Sequence, residues 1–324
     1  MKDVAKEAGV SLGTVSKVMN GLYVGSAYRK KVLEAADRLG YHMNYYAKVM
    51  RSGETATVAV ILPHLQNQFF AALAQRLCES LRDRKRQMLL YIAQPGGEGE
   101  LDCIHQAKTR RVDGVIAVTY NAQLSDVEGM RLVTIDRVIS PDISCVSSDN
   151  YSGGQLAAQK LMELGCRSLL GIHIPCPAPS EPDKRIEGFR ACCKTSGTPF
   201  AVRRESEEKE DDLFPFLESH LKPAGFEYDG IFCSNDDLAC KVWTILKAHH
   251  VPVPEAVQII GFDGVRHFED RALMCSTIAQ PVKEIADKAV ELVLDEQSQP
   301  MLVCLPVKYQ AGGTTREDTE TWGC

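Results

Sequence analysis

Along the first forty residues apolar side chains recur at helical spacing, and from residue 56 onward they gather into short continuous runs. Val4, Ala5, Ala8, Val10, Val15 and Val18 place small or β-branched groups where two short helices must cross closely. Gly9 supplies a left-handed turn residue between them, and Ser11 is placed to cap the second helix through its hydroxyl. A third helix is predicted over 26–39, with Val32, Leu33, Ala36 and Leu39 on one face and Gly40 as its stop. Asn44 can cap a further helix of only about two turns, which is marginal in water by itself. This segment therefore reads as a hinge that orders on docking, with the apolar Met50 set between Lys48 and Arg51.

Beyond residue 56 the pattern becomes apolar strands alternating with amphipathic helices, an α/β organisation. Strands are predicted at 57–62, 88–92, 114–118, 132–135 and 145–147, then in a second series at 169–174, 230–233 and 258–262. Continuous apolar strands of this kind are buried on both faces, as in doubly wound parallel sheets covered by helices. Two series imply two lobes. Residues 175–182 read as a proline-rich loop without regular structure, and 205–212 as a solvated charge run leading into a helix.

Charge divides the chain at the same place. Residues 1–53 hold nine Lys/Arg against four Asp/Glu, whereas the whole chain of 324 residues carries a net charge of −6. A small basic end on an acidic body is what phosphate binding by one module requires. The second helix turns Leu12, Gly13, Ser16 and Lys17 outward, with short side chains at its N-terminal end, so it can lie deep in a DNA major groove. No apolar run approaches the ~18 residues of a membrane span, and no charged-then-apolar leader precedes the first helix. A cytoplasmic protein is expected. The 12 cysteines form no C-x-x-C pair, and Cys145, Cys233, Cys240 and Cys304 sit inside apolar patterns, which favours reduced thiols over disulfides or a zinc site. Neither Cys192-Cys193 nor His249-His250 is a metal site, because neighbouring side chains diverge. No cofactor is expected.

Ligands of doubly wound sheets bind beyond the carboxyl ends of the strands. At those positions lie Asn67, Phe69, Phe70, Asp136, Arg137, Arg185, Asn235, Asp263 and Gln280. Planar amide, carboxylate and guanidinium groups suit vicinal hydroxyls, and the aromatic rings suit the C–H face of a sugar. Taken singly, each reads better as a loop residue capping the next helix. Their joint placement favours a polar ligand site. The chain has no G-x-x-x-x-G-K-[ST], no G-x-S-x-G and no dinucleotide glycine fingerprint after its first strand, which argues against an enzyme. Asp236-Asp237 reads as acid at a helix N-terminus.

Asp3-Val4-Ala5-Lys6-x-Ala8-Gly9-Val10-Ser11-x-x-Thr14-Val15-Ser16-Lys17 is followed in order by Asp149-Asn150-Tyr151-Ser152-Gly153-Gly154, Arg185-x-x-Gly188-Phe189, Asn235-Asp236 and Ile260-Gly261-Phe262-Asp263. Over nearly its whole length the chain thus resembles the lactose-repressor/galactose-repressor (LacI/GalR) family of bacterial transcription regulators. The resemblance implies a small all-α helix-turn-helix domain over 1–43 and a hinge helix and linker over 44–55. It implies a two-lobed α/β domain like periplasmic ribose-type sugar-binding proteins over 56–324, which also dimerises. Lobe 1 would comprise roughly 56–147 plus 278–306, and lobe 2 roughly 148–277 plus 307–316. A homodimer on palindromic operator DNA follows, with Ser11, Leu12, Gly13, Thr14, Ser16, Lys17 and Asn20 in the major groove. Tyr45 and Met50 would sit at the hinge, Met50 as the apolar wedge that kinks the minor groove. The effector is expected to be a mono- or disaccharide or a derivative held by the nine strand-end residues.

The chain departs from the family at several points. It begins a few residues later than usual, without the Thr that caps the first helix, and Gly13 lacks a reading side chain. Lys17 stands where Arg is usual, Met50 where Leu is usual, and Met43 where Pro is usual. His64, Gln68 and Gly264 replace common ligand-loop residues. A transport-linked sugar-binding protein is the alternative reading, opposed by the basic head and the absent export signal.

Overall fold

The computed structural model describes residues 1–19, 22–41, 55–93, 98–119, 121, 124, 130–176, 180–204, 212–223, 225–265, 274–295, 297 and 299–316. The expectations for Asn20, for the hinge with Asn44, Tyr45 and Met50, and for most of the charge run lie outside these residues. The chain divides into two compact units, Met1–Thr55 and Ala56–Cys324.

The first unit contains α1 (Lys2–Ala8), α2 (Leu12–Met19) and α3 (Ser26–Arg38). Val4, Ala5, Ala8, Val15 and Val18 are buried with Val32, Ala35 and Ala36. The expected face of α3 needs correction. Leu33 and Leu39 are 49% and 47% exposed, and Ala35 is buried in their place. Val32, Ala35 and Ala36 follow the i, i+3, i+4 spacing of one face, whereas Leu33 lies about 100° around the helix from Val32.

The second unit carries two parallel sheets. In the first lobe, β1 (Thr57–Leu62), α4 (Gln68–Asp83), β2 (Gln87–Ile92), α5 (Glu98–Thr109), β3 (Gly114–Ala117), β4 (Leu132–Ile135) and β5 (Ser144–Ser148) follow one another. The second lobe follows with α6 (Asn150–Glu163), β6 (Leu169–His173), α7 (Lys184–Ser196), β7 (Phe200–Arg204), α8 (Leu213–Ser219), the hairpin β8 (Leu221–Lys222) and β9 (Gly225–Phe226), β10 (Gly230–Cys233), α9 (Asp236–Ala248), β11 (Gln258–Asp263) and β12 (Ser276–Ala279). The chain then returns with α10 (Val282–Leu294), β13 (Leu302–Leu305) and β14 (Lys308–Gln310). Strand order is β13-β5-β4-β3-β1-β2 in the first sheet and β14-β12-β11-β10-β6-β7 in the second. All pairs within both are parallel except β12 with β14.

The apolar runs are explained by burial on both faces. Val58, Val60 and Leu62 share a core with Leu73, Leu77 and Leu81 of α4 and Ile285, Ala289 and Val290 of α10. Ala59 and Ile61, pointing the other way, share one with Ile104 and Ala107 of α5. The lobe boundary drawn at 278 is corrected, because Ile278 and Ala279 pair with Phe262 and Asp263 in the second sheet. Ser148 likewise ends a strand of the first sheet. Within the proline-rich loop, Glu181–Asp183 forms a 3-10 turn rather than irregular chain, because Ser180 and Asp183 make a capping box with Pro182 inside it. No helix among the described residues is long and apolar enough to cross a membrane.

Gly154 of α6 and Gly188 of α7 let these helices touch backbone to backbone. A Cβ on Gly154 would strike the Arg185 carbonyl oxygen, and one on Gly188 that of Tyr151. This contact fixes where Arg185, on the first turn of α7, enters the space between the lobes.

Candidate functional site

In the first unit, α1 ends at Gly9, whose φ of 60° is left-handed. Ser11 Oγ accepts from Thr14 N–H at 3.1 Å and lies 2.9 Å from Thr14 Oγ1, so both hydroxyls are engaged at the start of α2. Met1 stands at the N-cap of α1 without a side-chain cap hydrogen bond. Leu12, 46% exposed, together with Gly13 and Lys17, faces outward, while Thr14 and Ser16 are half-buried beside them. Nothing in the packing demands glycine at 13, where an added Cβ would meet only Ser11 Oγ at 3.7 Å. The face that α2 presents is therefore low, with one cation near its C-terminal end.

In the second unit, the carboxyl ends of both sheets converge on one cavity of about 220 Å³. All nine strand-end residues singled out in the sequence line it: Asn67, Phe69, Phe70, Asp136, Arg137, Arg185, Asn235, Asp263 and Gln280. Their side chains do different things there. Phe69 is 5% exposed and belongs largely to the first lobe's core. The half-buried Phe70 meets it edge-on at 5.6 Å and meets His64 at 5.2 Å. Asn235 Oδ1 accepts from Leu238 N–H at 2.7 Å, which makes it the cap of α9 as well as a wall of the cavity. Asn67 Oδ1 caps α4 through Phe69 N–H at 2.8 Å.

A connected polar network joins the rest. Asp136 Oδ1 accepts from Ser147 Oγ at 2.9 Å, and Ser147 Oγ accepts from Asn150 Nδ2 at 3.1 Å. Asn150 Oδ1 accepts from Arg185 Nε at 2.7 Å, and Arg185 Nη1 donates to the Ser234 carbonyl at 2.8 Å. The guanidinium lies 3.8 Å over the Phe262 ring and 3.5 Å from Asp263 Oδ1. Gln280 Nε2 donates to Asp263 Oδ1 at 2.7 Å, while Gln280 Oε1 accepts from Ser148 Oγ at 2.8 Å. Each of these groups is held by at least one partner within the protein.

Asp136 and Asp263 have φ of 57° and 121°, both unusual for a non-glycine residue. Such strain, of order 1 kcal/mol or more each, persists where the surroundings over-determine the backbone, as at ligand sites. Burial, together with the nearby carboxylates of Asp236 and Asp237, pushes Asp263 well above the usual carboxylate range against the pull of Arg185 and Gln280. Asp236 is structural: its oxygens accept from Thr277 Oγ1 at 2.7 Å and Gly264 N–H at 2.9 Å.

Arg137 Nη1 donates to the Asp136 carbonyl at 2.8 Å, and its Nη2 to Cys176 Sγ at 3.3 Å. Ser234, beside Asn235 at the end of β10, also lines the cavity, as do His173, Ile174, Cys176 and Pro182, which were not among the sequence candidates. His173 ends an otherwise apolar strand at its carboxyl end, which was the available signal. Among the described residues no cluster of three or more His, Cys, Asp or Glu could hold a metal ion.

Residues 1–44 match the family described as bacterial regulatory proteins, lacI family, and residues 158–315 match the periplasmic binding protein-like domain. A sucrose operon repressor from Pediococcus pentosaceus is 31% identical over 325 residues, covering 97% of this chain and 98% of its own. A ribose operon repressor from Bacillus subtilis is 30% identical over 328 residues, covering 98% and 99%. Among solved structures, a periplasmic binding protein/LacI transcriptional regulator from Alkaliphilus metalliredigens, complexed with D-xylulofuranose, is 26% identical with a TM-score of 0.71. It covers 80% of this chain and 99% of that one. With a lacI-type head, two parallel sheets facing one polar cleft and relatives of this similarity along its whole length, the chain belongs to the lacI family of bacterial regulatory proteins and is a DNA-binding transcription regulator, not an enzyme.

Proposed function

We propose that this regulator represses carbohydrate-metabolism genes and that its effector is a sugar or sugar derivative, a mono- or disaccharide, held between the lobes. The observation that carries this reading is the single cavity on which the nine polar and aromatic strand-end residues converge. The cavity encloses about 220 Å³ and is lined by both lobes. The named relatives that repress sucrose and ribose operons, and the relative with a bound pentulose, support the ligand class.

In this reading the protein acts in the cytoplasm as a homodimer on a palindromic operator. Ser11, Leu12, Gly13, Thr14, Ser16, Lys17 and Asn20 read the major groove, and Tyr45 and Met50 engage the minor groove at the centre. Effector binding changes lobe closure and thereby the geometry of the paired hinges. Coupling is reciprocal, so an effector that weakens DNA binding must itself bind less well to the DNA-bound protein.

The test is a gel shift on the DNA upstream of the protein's own gene, titrated with D-ribose, sucrose and D-xylulose. Arg185→Ala and Asp263→Ala proteins are expected to retain the shift and lose the sugar response. A response that survives both substitutions overturns the cleft assignment. A transport role is disfavoured by the lacI-type head over residues 1–44.

A further inference from the structure

The turns that lead from helices into strands line the amino edge of each sheet, the edge away from the cavity. In the first lobe, the turns entering β2 and β3 flank the start of β1, because the strand order there is β3-β1-β2. Gln87 N–H donates to the Ala56 carbonyl at 2.7 Å and Asp113 N–H to the Thr57 carbonyl at 2.8 Å, so both turns sit beside the point where the chain enters the sheet. They hold Arg84, Lys85, Arg86, Arg110 and Arg111 against Asp113 alone. Arg86 is paired with Asp113 at 2.6 Å. Arg84, Lys85, Arg110 and Arg111 are exposed, and among the described residues none of these four forms an ion pair.

The amino edge of the second sheet has the opposite character. Among the described residues, the turns entering β6, β7, β10 and β11 hold Arg167 against Glu227, Asp229 and Glu255. The backbone differs as well. Lys85 and Arg111 follow α4 and α5 with φ of 58° and 53°, in the left-handed region, where the second lobe places Gly165 and Gly197 after α6 and α7. Glycine would adopt that conformation without strain, so a cation held there calls for a reason beyond the fold.

We propose that this basic edge of the first lobe contacts the phosphate backbone of the DNA that the same protein binds. Three observations carry it: four exposed cations without ion pairs, their confinement to one end of an otherwise acidic body, and the strained backbone that displays two of them. DNA is the occupant because the DNA-binding unit ends at Thr55 and the chain enters β1 between the two basic turns. Guanidinium and ammonium groups suit phosphate oxygens, and such contacts add attraction without reading sequence.

Binding of the full chain to the DNA upstream of its own gene and to random duplex, measured against salt concentration, tests the proposal. The double variant Lys85→Gly/Arg111→Gly removes two charges and relaxes both turns. It should resist urea at least as well as wild type, yet bind DNA about tenfold more weakly at low salt. The loss should be equal on both duplexes, and the slope of log affinity against log salt should become shallower by about one for each phosphate contact removed. Arg110→Glu should act in the same direction, whereas Arg167→Gln, on the other sheet's edge, should change neither affinity nor slope. Wild-type affinity and slope in both the double variant and Arg110→Glu would overturn the proposal. So would a loss confined to the upstream DNA, or an equal effect of Arg167→Gln.

Discussion

Asn67 Nδ2 of the first lobe donates to Asp237 Oδ2 of the second at 3.0 Å, a hydrogen bond that spans the cleft between residues 170 positions apart. Asn67 is committed at both ends, since its oxygen caps α4. The same side chain therefore ties the start of a first-lobe helix to the start of α9. Two further links cross the cleft nearby: Arg137 Nη2 to Cys176 Sγ, and the Glu181 N–H to the Asp136 carbonyl at 3.2 Å. Three hydrogen bonds thus join the lobes across the cleft.

Asp237→Ala removes one of these flanking links while leaving the α9 cap, Asn235, in place. If it shifts the lobes toward separation, sugar affinity should fall by about fivefold, the equivalent of one hydrogen bond of ~1 kcal/mol. Titration calorimetry measures the affinity, and small-angle scattering should register a larger radius of gyration without ligand. Unchanged affinity and radius would show that the bond does not bias closure.

The α6–α7 crossing should tolerate no side chain. Gly154→Ala and Gly188→Ala each drive a methyl into a backbone carbonyl, which cannot yield as a flexible side chain would. A loss of at least ~3 kcal/mol is expected, at the upper end of overpacking penalties, read as a shifted urea midpoint.

Gly13 presents the opposite case. It sits inside α2 with room for a Cβ, and glycine in a helix costs about 0.5–1 kcal/mol relative to alanine. Gly13→Ala should stabilise the head by that amount in thermal unfolding. Because residue 13 faces outward, the added methyl should also alter operator preference in a binding-site selection.

Lys17 is exposed near the C-terminal end of α2. Lys17→Ala should weaken binding to the upstream operator by more than it weakens binding to random duplex. A cost of ~1–3 kcal/mol is expected if the side chain reaches a base. Equal losses on both DNAs, with a shallower salt dependence, would reassign it to a phosphate.

Asp183 gives a pH dependence of known sign. Burial alone would raise its folded-state value, but the hydrogen bonds from His173, Ser180 and Cys176 lower it from an ordinary 3.8, so between the two values the unfolded chain binds the proton that the folded chain does not. Its contribution to stability is present above 3.8 and is lost as the pH falls below it. Urea midpoints of wild type and Asp183→Asn should differ most near neutral pH and converge in acid. A difference that grows in acid would contradict the assignment.

Much of the fold could be read locally. The turn at Gly9, the Ser11 cap and the apolar strand runs each depend on residues within a few positions of one another, and hydrophobic periodicity reports those directly. The short strands β7, β13 and β14 did not announce themselves. β7 and β14 close the edges of their sheet, where burial is partial, and β13 alternates exposed and half-buried residues. The α3 face was misread because Ala35 carries too little apolar weight to outvote Leu33. His173 and Cys176 were missed because a buried histidine at the end of an apolar strand, or a cysteine in a proline-rich loop, looks the same whether or not a cavity lies beside it.

By itself the sequence determined most of the elements, their two-lobed order and the family motifs that mark the strand ends, because these follow from period, turn chemistry and residue type along the chain. Tertiary structure decided which of those strand ends meet. It joined Asp136 to Arg185 through Ser147 and Asn150, Asn67 to Asp237 across the lobes, and His173 to Asp183 around the β6 loop. Such pairings depend on two sheets facing each other at hydrogen-bonding distance, a condition set by packing and close approaches such as Gly154 on Arg185, which no local pattern encodes.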